Sequence, residues 1–331
     1  MPAGAPGPGI RRRVERIDLG VGQPSIAIIT LASQVEGPTV VVTANVHGDE
    51  VTGIAAVHDL DRRLVSVLRR GNVVLAPSLN PDGLEQQSRV QPSDGVDLNR
   101  VFPGDPTASA SGAARIAGRV WLGLHRHSPD AVIDLHADSA LSIPYAIVDR
   151  SVRLEGPARQ KMDRALEGLA EASGLTVLRE YPDELYRRFR LDQSLAGAMV
   201  NHAKVPAITL EVGPRRAVAP KAVLVMVEAV MRIFGYLKLV DEAPSSSHPR
   251  RLGGPWRRSS APKVGATGLF VASRAPGESF SRGDVLGEVR NLQGTAIEIV
   301  RATADGLVVS WGENAWVTAR SVPGTIGLVD G

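Results

Sequence analysis

The sequence predicts an α/β fold, a mixed and mostly parallel sheet flanked by helices on both faces, followed by a small all-β unit. Three observations carry that expectation. Between residues 26 and 240, short β-rich apolar runs alternate with helix-period segments, the pattern of a sheet whose parallel strands are joined by covering helices. Residues 241–263, DEAPSSSHPRRLGGPWRRSSAPK, then lose all periodicity, as a linker rich in Pro, Ser, Gly and Arg does. Beyond them come short strands broken by APGES, SRGD, ADG and VPG, which read as a small barrel or sandwich over residues 264–331.

Taken in order, residues 1–19 are expected to be a tail, with Arg11–Arg13 solvated, and residues 20–240 a single catalytic unit. Its strands are SIAIITLAS, TVVVTANV, NVVLAPSL, AVIDLHAD, YAIVD, LTVLRE and AITLEVG. The first helix follows the second strand: apolar residues at 51, 54, 57, 60, 64, 65 and 68 share one face, and Gly71 supplies the stop. Further helices are expected over 113–126, 157–173, 192–203 and 220–238. The C-terminal unit resembles a biotinyl or lipoyl carrier in outline, but no lysine follows Lys263 to carry such a group. A packing or substrate-covering module is therefore the expectation.

A chain of 331 residues that is 43% hydrophobic can bury a full α/β core and a second, smaller one. It has no cysteine, so a metal would be held by His, Asp or Glu, and the composition suits a reducing cytoplasm. No stretch reaches the roughly 20 apolar residues of a membrane span, and no signal-peptide core opens the chain. The net charge of +3 comes from scattered arginines without interleaved aromatics, so neither nucleic acid nor membrane is expected as a partner. Homo-oligomerisation is left open.

In an open α/β sheet, ligands bind beyond the carboxyl ends of the strands. His47 and Glu50 in HGDE stand at such an end, as do Asn80, Asp134 with His136, and Glu211. Singly, each has a plain alternative: His47 in a turn, Glu50 favouring a helix dipole, His136 in the core. Together, two histidines and a glutamate make the three ligands of a zinc site with a fourth position open for water, whose pKa then falls to about 7. The other histidines, His58, His125, His127, His202 and His248, lie at no strand end. Between the first ligands and the third, residues 78–104 form a long loop rich in Asn, Asp, Gly and Pro. Its Arg89, Asn99 and Arg100 suit a carboxylate or a tetrahedral oxyanion, unless Arg100 merely pairs with Asp97 or Asp82. The basic run YRRFR, residues 186–190, reads either as substrate-selecting charge or as a solvated face.

The motifs HGDE, NPDG, DLNRVFPG, DLH and PAITLEVG, in this order, resemble the succinylglutamate desuccinylase/aspartoacylase family, a branch of the zinc-carboxypeptidase-like fold. The resemblance covers about residues 20–240, and the C-terminal β unit also resembles one found in these deacylases. It implies one Zn2+ per chain held by His47, Glu50 and His136, with Glu211 activating the zinc-bound water and then protonating the leaving amine. It further implies that Asn99 and Arg100 bind a substrate carboxylate and that Arg89 polarises the scissile carbonyl. Pro214 in EVGP is closer to the aspartoacylase branch. The implied activity is removal of an acetyl, succinyl or similar group from a small N-acyl amino acid or related amine. The alternatives are a metallocarboxypeptidase acting on peptides through the same centre, and a non-catalytic binding protein.

Overall fold

The computed structural model describes residues 9–20, 24–107, 112–241 and 251–329. In chain order the first part contains β1 (Ile10–Ile17), β2 (Ile26–Ser33), β3 (Thr39–Ala44), α1 (Thr52–Val67), β4 (Asn72–Ala76), α2 (Pro81–Glu85) and α3 (Gly112–His125). It continues with β5 (Ala131–His136), β6 (Tyr145–Val148), α4 (Gly156–Ala172), β7 (Thr176–Arg179), α5 (Asp183–Arg188), α6 (Leu195–Ala198), β8 (Ala207–Glu211) and α7 (Pro220–Tyr236). The seven β-rich runs of the sequence are β2 to β8.

The sheet has a parallel centre, β4-β3-β5-β8, with β2 and then β1 added antiparallel on one side. On the other side β6 pairs antiparallel with β8, and β7 runs parallel to β6. Strand β5 is buried along its whole length and β3 at every residue but its first, as strands covered on both faces must be. Helices α1, α7 and α4 pack side by side, while α3 and the 191–203 segment contribute separate cover. Val42, Ile133, Leu60 and Phe234, from strands and helices alike, are wholly buried in the resulting core.

Three stretches differ from the sequence reading. Ile10–Ile17, placed in the expected tail, pair residue by residue with β2. As an edge strand β1 tolerates its arginines, and Arg12 meets Asp61 of α1 at 2.9 Å. The single helix expected over 192–203 is instead a 3-10 turn at Leu191–Gln193, then α6, then a wide π turn at Met199–Ala203. Ser194 caps α6 by accepting from the Gly197 N–H at 2.9 Å, which restarts the helix there. Lastly, Trp256–Ser260 inside the expected linker form β9, inserted between β7 and the C-terminal strand Gly324–Val329.

Strand β9 carries the long sheet into the C-terminal unit, made of β10 (Gly268–Ala272), β11 (Ser279–Phe280), β12 (Val285–Arg290), β13 (Ala296–Arg301), β14 (Gly306–Trp311), β15 (Trp316–Val317) and β16 (Gly324–Val329). Strands β16, β14 and β11 complete the long sheet, and β13-β12-β10-β15 form a second, antiparallel one. Phe270, Leu286, Val289, Val308, Trp311 and Ile326 fill a core of their own between them. This unit docks directly behind β5: Ile143 donates to the Val309 carbonyl at 3.0 Å and Trp311 to that of Leu141 at 2.9 Å. Ser139 Oγ also donates to the Trp311 carbonyl, at 2.8 Å. No helix among the described residues is long and apolar enough to cross a membrane.

Candidate active site

Strand β3 stops at a sharp turn because Asn45 takes a left-handed backbone, φ 56°, a conformation asparagine tolerates better than most residues. Its buried Nδ2 lies 2.9 to 3.1 Å from the carbonyls of His47, Gly48 and Glu50, and its Oδ1 accepts from Ser78 Oγ at 2.7 Å. One side chain thus fixes the turn that presents His47 and Glu50. Gly48 lies so close to Gly83 that a Cβ would overlap the Gly83 backbone. Helix α1 begins only at Thr52, with no acid in its first turn; Glu50 is therefore not serving the helix dipole.

Glu50 instead lies between the two histidines. Its Oε1 is 2.8 Å from His47 Nδ1 and its Oε2 is 2.8 Å from His136 Nδ1. All three side chains are 3% exposed. Their ligand-type atoms lie within 4.8 Å of one another, so the group could hold a metal ion. The outer ring nitrogens are engaged as well: His136 Nε2 meets Asp134 Oδ2 at 2.8 Å, and His47 Nε2 meets Asp97 Oδ1 at 3.2 Å. Carboxylates on Nε2 keep the proton there and leave Nδ1 as the ligand atom, the usual support of a metal-binding histidine. Asp134 is itself held by Thr43 Oγ1, which donates at 2.7 Å. Asp97 stays well below the usual carboxylate range: burial pushes it up, but His47, Arg89 and Arg100 outweigh that. Likewise burial alone would neutralise His136, yet Asp134 and Glu50 hold it well above the ordinary imidazole range.

Glu211 ends β8, with its Cα in register with His136 of β5 on one side and Tyr145 of β6 on the other. Its Oε2 is buried without a hydrogen-bond partner among the described residues. Burial, reinforced by Glu50 and Asp138 and opposed by His136, pushes its carboxyl up to about 7. A carboxyl so placed can take and return a proton near neutrality.

The loop between β4 and α3 supplies the cations. Arg89 reaches Glu50 Oε1 at 3.1 Å and Asp97 Oδ2 at 3.4 Å. Asn99 is buried; its Oδ1 accepts from the Leu195 N–H at 2.7 Å, tying the loop to α6. Arg100 donates to the Asn99 carbonyl at 2.7 Å, and burial lowers its pKa. Neither Asp97 nor Asp82 pairs with it, for Asp97 faces His47 and Asp82 accepts from Gln91 at 3.1 Å. Among the described residues the half-buried Arg100 forms no ion pair, although Asp97 and Glu180 act on its charge from farther away.

His47, Glu50, Arg89, Asn99, Arg100, His136 and Glu211 all line one cavity of about 170 Å³. Every site residue expected from the sequence is thus brought together. The sequence reading missed Asn45, and it named Asp134 at its strand end and Asp97 beside Arg100 without seeing that both act by positioning the histidines. It also missed part of the wall: Tyr145, Asp149, Glu180, Arg215 and Arg258. Tyr145 Oη donates to Asp138 Oδ2 at 2.9 Å, and Arg258 of β9 donates to Glu180 at 2.6 Å, so the supposed linker contributes to the cavity. Of YRRFR, Tyr186 is buried and donates to Asp149 at 2.6 Å, whereas none of its arginines lines the cavity. The remaining histidines stay apart from it; His248 lies outside the described residues.

The chain and its fold are similar to those of known proteins. N-alpha-acetyl-L-2,4-diaminobutyric acid deacetylase of Halomonas elongata is 28% identical over 308 residues, spanning 91% of this chain and 83% of that protein. The fold is shared with the succinylglutamate desuccinylase/aspartoacylase crystal structure from Rhodobacter sphaeroides, at a TM-score of 0.79 and 22% identity over 97% of this chain and 96% of that one. It is shared too with the product-bound ectoine utilization protein EutE (DoeB) from Ruegeria pomeroyi, at a TM-score of 0.77 and 19% identity over 99% and 98% of the two chains. Residues 36–237 match the model of the succinylglutamate desuccinylase/aspartoacylase catalytic domain, and the chain belongs to that family.

Proposed function

We propose that the protein is a zinc-dependent amidohydrolase that removes an acyl group from a small N-acyl amino acid, the substrate class named for its Halomonas relative. The observation that carries this reading is the single cavity joining a buried His47–Glu50–His136 group, an unpartnered carboxyl on Glu211 and an unpaired Arg100. The donor set of two imidazoles and one carboxylate fits zinc, and the carboxylates behind both imidazoles fit it further. The ion would be held by His47 Nδ1, Glu50 and His136 Nδ1. The chemistry zinc supplies when bound is Lewis acidity, which lowers the pKa of water to about 7 and polarises a carbonyl.

The chain's own residues do the rest. Arg100, with the Nδ2 of Asn99, grips the carboxylate of the substrate and so sets the amide carbon over the metal-ligand group. Glu211 takes one proton from the attacking water as the carbon–oxygen bond forms. Arg89 neutralises the negative charge that gathers on the carbonyl oxygen. Glu211 then gives its proton to the amide nitrogen as the carbon–nitrogen bond breaks, releasing a carboxylic acid and an amine. The small size of the cavity, about 170 Å³, favours single N-acyl amino acids over peptides, the substrates of the metallocarboxypeptidase alternative.

The test is a turnover assay of the zinc-loaded protein with N-acetyl and N-succinyl amino acids beside N-blocked dipeptides. Hydrolysis of the former, lowered about 10²- to 10⁴-fold by Glu211→Gln with zinc retained, is the expected result. Preference for the dipeptides would replace the reading with the peptidase one, and an unaffected Glu211→Gln variant would remove Glu211 from its role.

A further inference from the structure

The charges around the cavity do not cancel in pairs, and the imbalance is local. Arg89 faces Glu50 and Asp97, Arg258 faces Glu180 at 2.6 Å, and Arg215 faces Asp138 at 3.9 Å. Arg100 forms no ion pair among the described residues, though Asp97 and Glu180 act on it from farther away, and it suits the substrate carboxylate. Among the carboxylates on the wall, Glu50 belongs to the metal-ligand group and Glu211 to proton transfer. Asp149 is left over.

Asp149 is 6% exposed, and among the described residues its one hydrogen bond is from the neutral Tyr186 hydroxyl, at 2.6 Å to Oδ1. It forms no ion pair there. The cation that acts on it, Arg258, is already engaged by Glu180, and Glu180 itself repels it. A buried carboxylate without a cation is costly to keep. Its position is equally pointed. Side chains alternate along a strand, so Tyr145 and Ile147 of β6 share one face, and Asp149, the residue just past the end of the strand, lines the same cavity. Tyr145 is in register with Glu211 and Ile147 with Thr209, another wall residue. The row therefore leads from the proton carrier, past one apolar side chain, to a carboxyl that no cation pairs among the described residues.

We propose that Asp149 is a specificity-determining residue that receives a second, protonated amine on the substrate. The substrates are then N-acyl amino acids whose side chain ends in an ammonium group. The methylenes of that side chain lie against Ile147, the ammonium meets Asp149, and the carboxylate remains with Arg100. This inference rests on the deacylase reading for the word acyl, but the recognition of the ammonium does not depend on hydrolysis.

The experiment compares N-acetyl-2,4-diaminobutyrate with N-acetyl-2-aminopentanoate, in which a methyl group replaces the ammonium. The ratio of kcat/KM for the first over the second is measured for wild type, Asp149→Asn and Tyr186→Phe. Calorimetry of the same proteins, zinc-loaded, with free 2,4-diaminobutyrate and 2-aminopentanoate gives a readout independent of turnover. Losing one partner of a buried charge pair typically costs affinity by about 100-fold. The expected result is a wild-type ratio of that order, carried mainly by KM, which collapses toward unity in Asp149→Asn and survives in Tyr186→Phe. Asparagine still accepts from Tyr186, so a merely structural Asp149 would leave the ratio unmoved in Asp149→Asn, and that result overturns the proposal. Charge-selective binding without hydrolysis would keep the proposal and remove the deacylase reading. Hydrolysis without charge preference would do the reverse, and absence of both would remove both.

Discussion

Asp134→Asn isolates the support of the metal-ligand group without touching any ligand. In the wild type both carboxylate oxygens are engaged: Oδ1 accepts from Thr43 at 2.7 Å and Oδ2 faces His136 Nε2 at 2.8 Å. The residue is wholly buried, so neither bond can be replaced by water. An asparagine that keeps its oxygen on the Thr43 hydroxyl proton preserves that bond. The amide NH2 then faces Nε2, and Nε2 must become an acceptor. The proton moves to Nδ1, the atom that faces Glu50 and would bind the metal. Restoring the ligand tautomer means flipping the amide, which turns its NH2 toward Thr43 Oγ1 and leaves the Thr43 hydroxyl proton without its buried acceptor, a loss worth about 1–3 kcal/mol. Zinc affinity should fall by about 10- to 100-fold, the range found when such outer partners are removed. Competition with a chromogenic chelator measures it, with a thermal melt of the metal-free protein as the control for folding. An affinity within about twofold of wild type, with the melt unchanged, would refute the tautomer argument.

Three further outcomes follow from the geometry. Gly48→Ala should destabilise the fold by about 3 kcal/mol, because the added Cβ meets Gly83 backbone and not a movable side chain; denaturant unfolding measures this, and zinc content should drop with it. Arg100→Ala should raise KM by about 10- to 100-fold for N-acyl amino acids, the loss of one charge-assisted contact, and much less for N-acyl amines that lack the carboxylate. Asp149→Asn should make the ligand-free protein more stable than wild type at pH 8 but not at pH 4. Burial first, and Glu180 second, push the Asp149 carboxyl up to about 7 from an unfolded value near 3.9. The native state therefore binds the extra proton between about pH 4 and 7, and wild-type stability falls as pH rises through that window by at most ~4 kcal/mol. Asparagine removes that dependence, and unfolding curves at the two pH values show whether it does.

What the sequence revealed, and what it hid, divides along the range of the interactions involved. Strands β2 to β8 and helices α1, α4 and α7 were legible because each buries a continuous apolar face that its own periodicity displays. His47, Glu50, His136 and Glu211 were legible because charged or titratable residues ending apolar strands have few structural reasons to be there. Asp134 could have been found by the same logic: it lies two residues before His136, on the same side of β5, so its carboxylate and the imidazole share a face. Asn45 and Asp97 act through backbone and loop contacts that no spacing reveals. Strand β9 was hidden because WRRSS is polar and only partly buried; it is a strand because β7 and β16 offer it hydrogen bonds on both sides. Arg258 reached the cavity wall by that same nonlocal pairing. The IRRRVERI strand was masked by its charge, which an edge position accommodates.

The proposed chemistry turns on one zinc ion held by His47, Glu50 and His136. Elemental analysis of the purified protein, after loading with zinc and removal of excess, run beside His136→Ala, decides whether they hold it. About one zinc per chain in the wild type and little in the variant, with hydrolysis of N-acyl amino acids lost in parallel, is the expected result. A wild type that retains no zinc even from excess, or a variant that retains it in full, would overturn the assignment of these three ligands.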